Sequence, residues 1–133
     1  MLQEWRSRYV SDKKVFVVEK PWGREVIYAS NELYIGKIIE INEGARLSLQ
    51  LHEQKDETIY VLDGTLRLVI GDSADTLTSR DLAEGVSFRV QTGQVHRYQA
   101  PHGSVRVLEV STPHPNDVVR LEDDYGREGT SKA

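Results

Sequence analysis

Short apolar runs separated by turn signals set the rhythm of the chain. Residues 15–18 stop at Pro21-Trp22-Gly23, residues 33–41 at Asn42-Glu43-Gly44, residues 58–62 at Asp63-Gly64 and residues 66–70 at Gly71-Asp72. Residues 47–51 run into charged positions. Residues 86–90 stop at Gln91-Thr92-Gly93, residues 95–100 at Pro101-His102-Gly103, and residues 105–110 shortly before Pro113. The runs are rich in Val, Ile, Leu, Thr and Tyr, which pack well on a pleated surface. Turn signals every ~8–12 residues predict a sandwich or barrel. No window sustains a helical period, so the pattern predicts about eight or more strands and little helix. Asp63-Gly64, between two such runs, predicts a hairpin turn. A single domain over residues 1–128 is expected, with residues 129–133, small and polar, as a frayed tail.

Strand parity makes one segment unusual. Arg46, Ser48, Gln50 and His52 share one face, and Leu47, Leu49 and Leu51 the other. A polar face is either solvated or lines a functional cavity. The next run opens on Glu57, whose face-mates Ile59 and Val61 are apolar, which puts a carboxylate at the end of a buried face. His96 follows later, with Tyr98 and Ala100 on its face. Each of these polar residues alone reads as an ordinary surface or core residue. Together, Gln50, His52, Glu57 and His96 supply an amide oxygen, two imidazoles and a carboxylate, a sound ligand set for a divalent cation.

Other candidates follow from the same parity. Lys37 lies between Ile35 and Ile39, so it either snorkels out or points into a cavity. Arg46 is a candidate contact for an anionic substrate, and Tyr98 a candidate cavity wall. Glu109 is a candidate for proton transfer on a strand of ambiguous parity. His102 sits at a hairpin tip and His114 between prolines, both read as loop residues. Arg120 and Arg127 are expected to hold the C-terminal segment through Glu122, Asp123 and Asp124, with phosphate binding as the alternative. If the ligand face points inward, Leu47, Leu49 and Leu51 form an outward strip that needs cover. A second chain in a two-fold homodimer would supply it, or the strand around residues 15–18.

Composition narrows the function classes. The chain has 133 residues, one domain's length. Lys plus Arg is 17 and Asp plus Glu is 21, a net charge of −4, which argues against nucleic-acid binding through a bulk basic surface. There is no cysteine, which excludes disulfides, thiolate ligands and Cys nucleophiles. Residues 1–8 carry charges where a signal peptide needs an apolar core, and no run reaches the ~18 apolar residues of a membrane span. A cytoplasmic protein with neither a membrane nor a nucleic-acid partner is expected.

The segment from Gly44 to Gly64 resembles the first motif of the cupin superfamily: Gly, five residues, His-x-His, three or four residues, Glu, six residues, Gly. Gly44, Gln50-Leu51-His52, Glu57 and Gly64 fall in those places, with Gln50 where most cupins have the first His. Gly85, Gly93 and His96 resemble the second motif, with Gln91 where a Pro usually stands. The resemblance implies a double-stranded β-helix, the cupin jelly-roll barrel. Pro21-Trp22-Gly23, the segment Leu47-Ser48-Leu49-Gln50-Leu51-His52, and the close on Asp117-Val118-Val119-Arg120 and Tyr125-Gly126-Arg127 look like the cupin domain of type II mannose-6-phosphate isomerases. In that family the positions of Gln50, His52, Glu57 and His96 are read as metal ligands. Lys55 stands where the family usually has Arg, and Thr58-Ile59-Tyr60 where an aromatic usually follows the Glu. Larger members also carry a nucleotidyltransferase domain; no Gly-rich phosphate loop occurs here.

The resemblance implies one divalent metal ion per chain, zinc or manganese foremost, with nickel, cobalt or iron as further options. It implies an isomerase or epimerase acting on a sugar or sugar phosphate, with Lys37, Glu109 or a metal-bound hydroxide as the base. Two alternatives stand beside it: a small Fe(II) dioxygenase, and a non-catalytic sugar-binding module.

Overall fold

The computed structural model describes residues 14–131. Among them are twelve strands and no helix: β1 (Phe16–Lys20), β2 (Gly23–Ser30), β3 (Ile35–Ile41), β4 (Leu49–Leu51), β5 (Glu57–Asp63), β6 (Leu66–Gly71), β7 (Thr78–Leu82), β8 (Ser87–Val90), β9 (Val95–Gln99), β10 (Val105–Ser111), β11 (Val118–Glu122) and β12 (Gly129–Ser131). They form two six-stranded antiparallel sheets, ordered β1-β2-β3-β10-β5-β8 and β12-β11-β4-β9-β6-β7. This is the all-β architecture that the apolar rhythm predicts, in the jelly-roll form that the resemblance implies. No helix of the described residues is long and apolar enough to cross a membrane. The charged start at residues 1–8 lies outside the described residues.

Two local expectations are corrected. Asp63-Gly64 closes no hairpin: β5 pairs with β10 and β8, and β6 pairs with β7 and β9, so the turn is a corner carrying the chain between sheets. Gly64 sits there at φ +82°, and a Cβ would stand 2.6 Å from the backbone oxygen of Ser104. Gly64→Ala is therefore expected to cost about 1–3 kcal/mol, from strain at positive φ plus the clash. A lowered urea midpoint at unchanged slope is the measurement that checks it. At the C-terminal end, residues 129–131 of the expected tail lie in a strand. They form β12, paired as Val118↔Ser131 and Arg120↔Gly129, because backbone groups find ladder partners without apolar side chains.

The inner faces run from apolar to charged along the barrel axis. On β10, Val105, Val107, Glu109 and Ser111 are buried in sequence; on β5, Val61, Ile59 and Glu57; on β3, Ile41, Ile39 and Lys37. In cross-strand register Val107 lies between Val61 and Ile39, Glu109 between Lys37 and Ile59, and Ser111 between Ile35 and Glu57. The apolar end closes on Leu66, Leu68, Ile70, Leu82, Val90 and Ala100. The ambiguous parity of Glu109 is thereby resolved as inward.

The leucine strip is also corrected. Arg46 bridges Gln99, while Gln50 pairs with His96. Four steps on one chain are matched by three on the other, so one extra residue bulges between them. The bulge returns Leu47 to the core cluster, and Leu49 is 3% exposed. No exposed strip of three leucines remains, and the argument for a homodimer seam built on it falls. Residues 15–17, the alternative cover, are themselves exposed.

Candidate metal centre

At the charged end, β4, β5 and β9 bring three side chains to one point. Gln50 of β4 is the direct partner of His96 on β9; His52 follows β4 and Glu57 opens β5. His52, Glu57 and His96 are all buried, with one ligand atom from each lying within 4.8 Å of the others. The His52 Nε2 atom is 3.0 Å, and the His96 Nε2 atom 3.2 Å, from Glu57 Oε1. The opposite ring nitrogens assign the tautomers. His52 Nδ1 donates to the Asp117 carbonyl at 2.5 Å, and His96 Nδ1 to the Gln94 carbonyl at 3.0 Å. A carbonyl only accepts, so each Nε2 is left with a lone pair.

Three buried acceptor atoms thus converge. His52 Nε2, His96 Nε2 and Glu57 Oε1 have no hydrogen-bond partner among the described residues. Acceptors facing acceptors are costly in a dry interior, and a cation at their centre satisfies all three. Imidazoles fixed through Nδ1–H to a carbonyl are how metal-binding histidines are held. The residues present therefore fit a divalent ion. Gln50 lines the same cavity, and its Oε1 accepts from Ser48 Oγ at 2.6 Å, keeping a second lone pair.

A charged network surrounds the trio. Lys55 Nζ lies 3.3 Å from Glu109 Oε2 and 3.8 Å from Glu57 Oε2; Lys37 Nζ lies 3.7 Å from Glu109 Oε2 and 3.1 Å from Glu25 Oε2. Burial alone would push the Glu57 carboxyl up. The Lys55 ammonium and a hydrogen bond from Glu109 outweigh it and hold Glu57 well below the usual carboxylate range. Glu109 goes the other way: burial, then the Glu57 charge, push it up to about 8, against Lys55 and Lys37. Two carboxyls in one dry site share a proton, and it rests on Glu109. Burial pulls the Lys55 ammonium down, but Glu109 and Glu57 more than reverse this and keep it charged. Burial, with Glu57 and Glu109 nearby, pushes the Tyr98 phenol well above its ordinary value; its ring is tilted against His96 at 5.5 Å between centroids.

The cavity holds about 480 Å³, open water at its mouth included, within the ~300–1,000 Å³ of small-molecule sites. Lys37, Gln50, His52, Glu57, Tyr98 and Glu109 all line it. Arg46 does not. It points away and pairs with Asp124 through Nε at 2.7 Å and Nη2 at 2.8 Å, because the bulge breaks the parity that put it beside Gln50. Arg127 pairs with Asp123 at 2.8 Å, yet it and Arg120 also line the cavity. His102 is a surface residue beside Asp81, and His114 a loop residue bonded to Thr112.

Sequence reasoning missed Glu25 and Lys20 altogether and read Lys55 only as a departure from a motif. Lys55 lies in a loop, where parity says nothing. Glu25 shares the inward side of β2 with no apolar run to reveal it.

The cupin domain family matches residues 37–111. The chain is 32% identical over 126 residues to the xanthan biosynthesis protein XanB of Xanthomonas campestris pv. campestris (strain B100), covering 92% of this chain and 25% of that protein. It is 28% identical to mannose-1-phosphate guanylyltransferase 2 of Escherichia coli O157:H7 (92% and 25%), and 33% identical to the alginate biosynthesis protein AlgA of Pseudomonas aeruginosa PAO1 (83% and 23%). The chain thus spans about a quarter of the length of these relatives. Similar folds occur in the capsular polysaccharide assembling protein CapF from Staphylococcus aureus (TM-score 0.72, 12% identity, 84% of this chain and 35% of that one) and in KdgF from Halomonas sp. (TM-score 0.64, 19% identity, 77% and 89%). With its two motifs, its barrel and more than half its length matched, the chain belongs to the cupin family.

Proposed function

We propose that the chain holds a divalent ion, zinc or manganese, on Gln50, His52, Glu57 and His96, and interconverts the aldose and ketose forms of a sugar phosphate. The observation that carries this reading is the make-up of one cavity. Its walls include His52 and Glu57 of the acceptor trio, with Gln50, and also Lys20, Lys37, Arg120 and Arg127. Burial pulls the Lys20 ammonium below its ordinary value, and Lys37, Arg120 and Arg127 add to this against Glu25, as expected where cations converge. Such a mouth suits a phosphate. The similarity to proteins of xanthan and alginate biosynthesis and to a mannose-1-phosphate guanylyltransferase supports a sugar-related substrate. Oxalate decarboxylase of Bacillus subtilis, a structural neighbour (TM-score 0.68, 17% identity), has Mn(II) centers, which supports manganese as one option.

The bound ion supplies Lewis-acid polarisation of adjacent substrate oxygens. Glu109 holds and moves the proton between neighbouring carbons through Oε2, since a carboxyl poised near neutral pH suits general acid–base work. Lys37 and Lys55 orient that oxygen. Tyr98 closes the cavity beside His96.

Elemental analysis combined with a panel of aldose and ketose phosphates tests the reading. Zinc or manganese with ketose formation, and loss of turnover but not of metal in Glu109→Gln, are expected. Iron with oxygen uptake would replace the isomerase by a dioxygenase, and metal without turnover by a sugar-binding module. Gln50→His exchanges an amide oxygen for a stronger imidazole ligand and is expected to tighten metal binding by about tenfold. Unchanged affinity in calorimetric titration would remove Gln50 from the ligand set.

A further inference from the structure

A second cavity lies beside the first at the charged end of the barrel. It holds about 530 Å³, open water at its mouth included. The two cavities share Glu25, Lys37 and Lys55 as a common wall, so the Glu25–Lys37 ion pair and Lys55 separate them. None of His52, Glu57, His96 or Gln50 reaches the second one.

Its walls interleave apolar and polar side chains. Val18, Ile27 and Ile35 line it, and each lies across the ladder from a polar lining residue, Glu25, Lys37 and Ser111 respectively. Ser30, Lys55 and Asn116 add further polar groups. Ser111 is 6% exposed, and its Oγ is buried with no hydrogen-bond partner among the described residues. Lys55 has three N–H donors, and the two carboxylate contacts the structure gives it, Glu109 and Glu57, both lie in the metal cavity. Lys37 is bound to Glu25 and Glu109; Glu25 is the one carboxylate on the second cavity's wall. A buried hydroxyl without a partner is costly unless something fills the space. Donors set among aliphatic side chains suit a small molecule with an acceptor-only head and a short apolar body.

We propose that this second cavity is a binding site for a small branched monocarboxylate, its carboxylate taking the Ser111 hydroxyl and the Lys55 ammonium and its alkyl group packing on Val18, Ile27 and Ile35. None of the four proposed metal ligands lines it, so binding there is measured on metal-free protein, apart from the turnover that tests the isomerase reading.

Methyl-resolved NMR of the chelator-treated, metal-free protein titrated with isobutyrate tests it, with isobutyramide as the uncharged control. The expected result is saturable shifts of the Val18, Ile27 and Ile35 methyls, little change at Ile39 and Leu47 in the metal cavity, and much weaker binding of the amide. Ser111→Ala is expected to weaken isobutyrate by about tenfold. Ile27→Phe, which fills the cavity from a different strand, is expected to abolish the shifts at Ile35. No saturable shift at tens of millimolar overturns the proposal. So do shifts centred on Ile39 and Leu47, equal binding of the amide, or binding seen only after metal is restored.

Discussion

Alanine at His96 is expected to reduce metal content from one ion per chain to none while the barrel remains folded. The imidazole is fixed by Gln94 and converges with His52 and Glu57 on a point where all three offer lone pairs. Removing one imidazole leaves one imidazole and one carboxylate with only the weak amide oxygen of Gln50 beside them, too poor a set for a stoichiometric ion. His52→Ala is expected to do the same. Thermal unfolding adds an independent readout. Metal at about a hundredfold above its Kd should stabilise the wild type by about 2.7 kcal/mol through mass action and leave both variants unmoved. Full metal occupancy in either variant would sink the assigned centre.

Asp117→Ala is expected to damage both stability and metal binding. The Asp117 carboxylate accepts from the backbone N–H groups of Glu53 (3.1 Å), Gln54 (2.7 Å) and Lys55 (2.8 Å), while its own carbonyl accepts from His52 Nδ1. One residue thus clamps the loop that joins His52 to Glu57. Loss of hydrogen bonds to a charged acceptor predicts a cost of about 2–3 kcal/mol, and disorientation of His52 a fall of about 10–100-fold in metal affinity. Burial would raise this carboxyl, but the amides of Gln54, Lys55 and Glu53 outweigh it and hold it below its ordinary value. Its stabilising contribution is therefore complete above the ordinary carboxylate range and fades as pH falls through the lower folded value. Denaturant curves of wild type and Asp117→Asn should converge on acidification. A stability gap that stays constant down to about pH 3 would deny the carboxylate its role.

The meeting of His52, Glu57 and His96 was legible because motif spacing and strand parity agree at Glu57 and His96, where the ladders are regular. Parity misled at Arg46 and Leu47, where one extra residue shifts the register and side chains change sides without any Gly or Pro to announce it. Strands β7 and β12 were invisible for a different reason. Four of the five residues of β7 are exposed, so no apolar alternation marks it, and β12 is held by backbone pairing. Asp117 fell within a recognised segment, but its contacts reach residues 62 to 65 positions away. Only the closed barrel makes such partners neighbours. Lys55 and Glu25 matter through the charges they meet inside the barrel, and no local pattern encodes those meetings.

The bulge between Arg46 and Gln50 fixes where this sheet can change in length. With the extra residue removed, three steps would face three, so Arg46 would still oppose Gln99 and Gln50 would still oppose His96. A one-residue deletion at positions 47–49 would therefore straighten the strand and leave Gln50 and His52 on the sides they now occupy. The neighbouring ladder of β9 with β6 is regular from Gln99 to Val95, and there a one-residue slip would turn His96 to the other face. Lineages of this chain are thus expected to gain or lose a residue in the first stretch and never in the second.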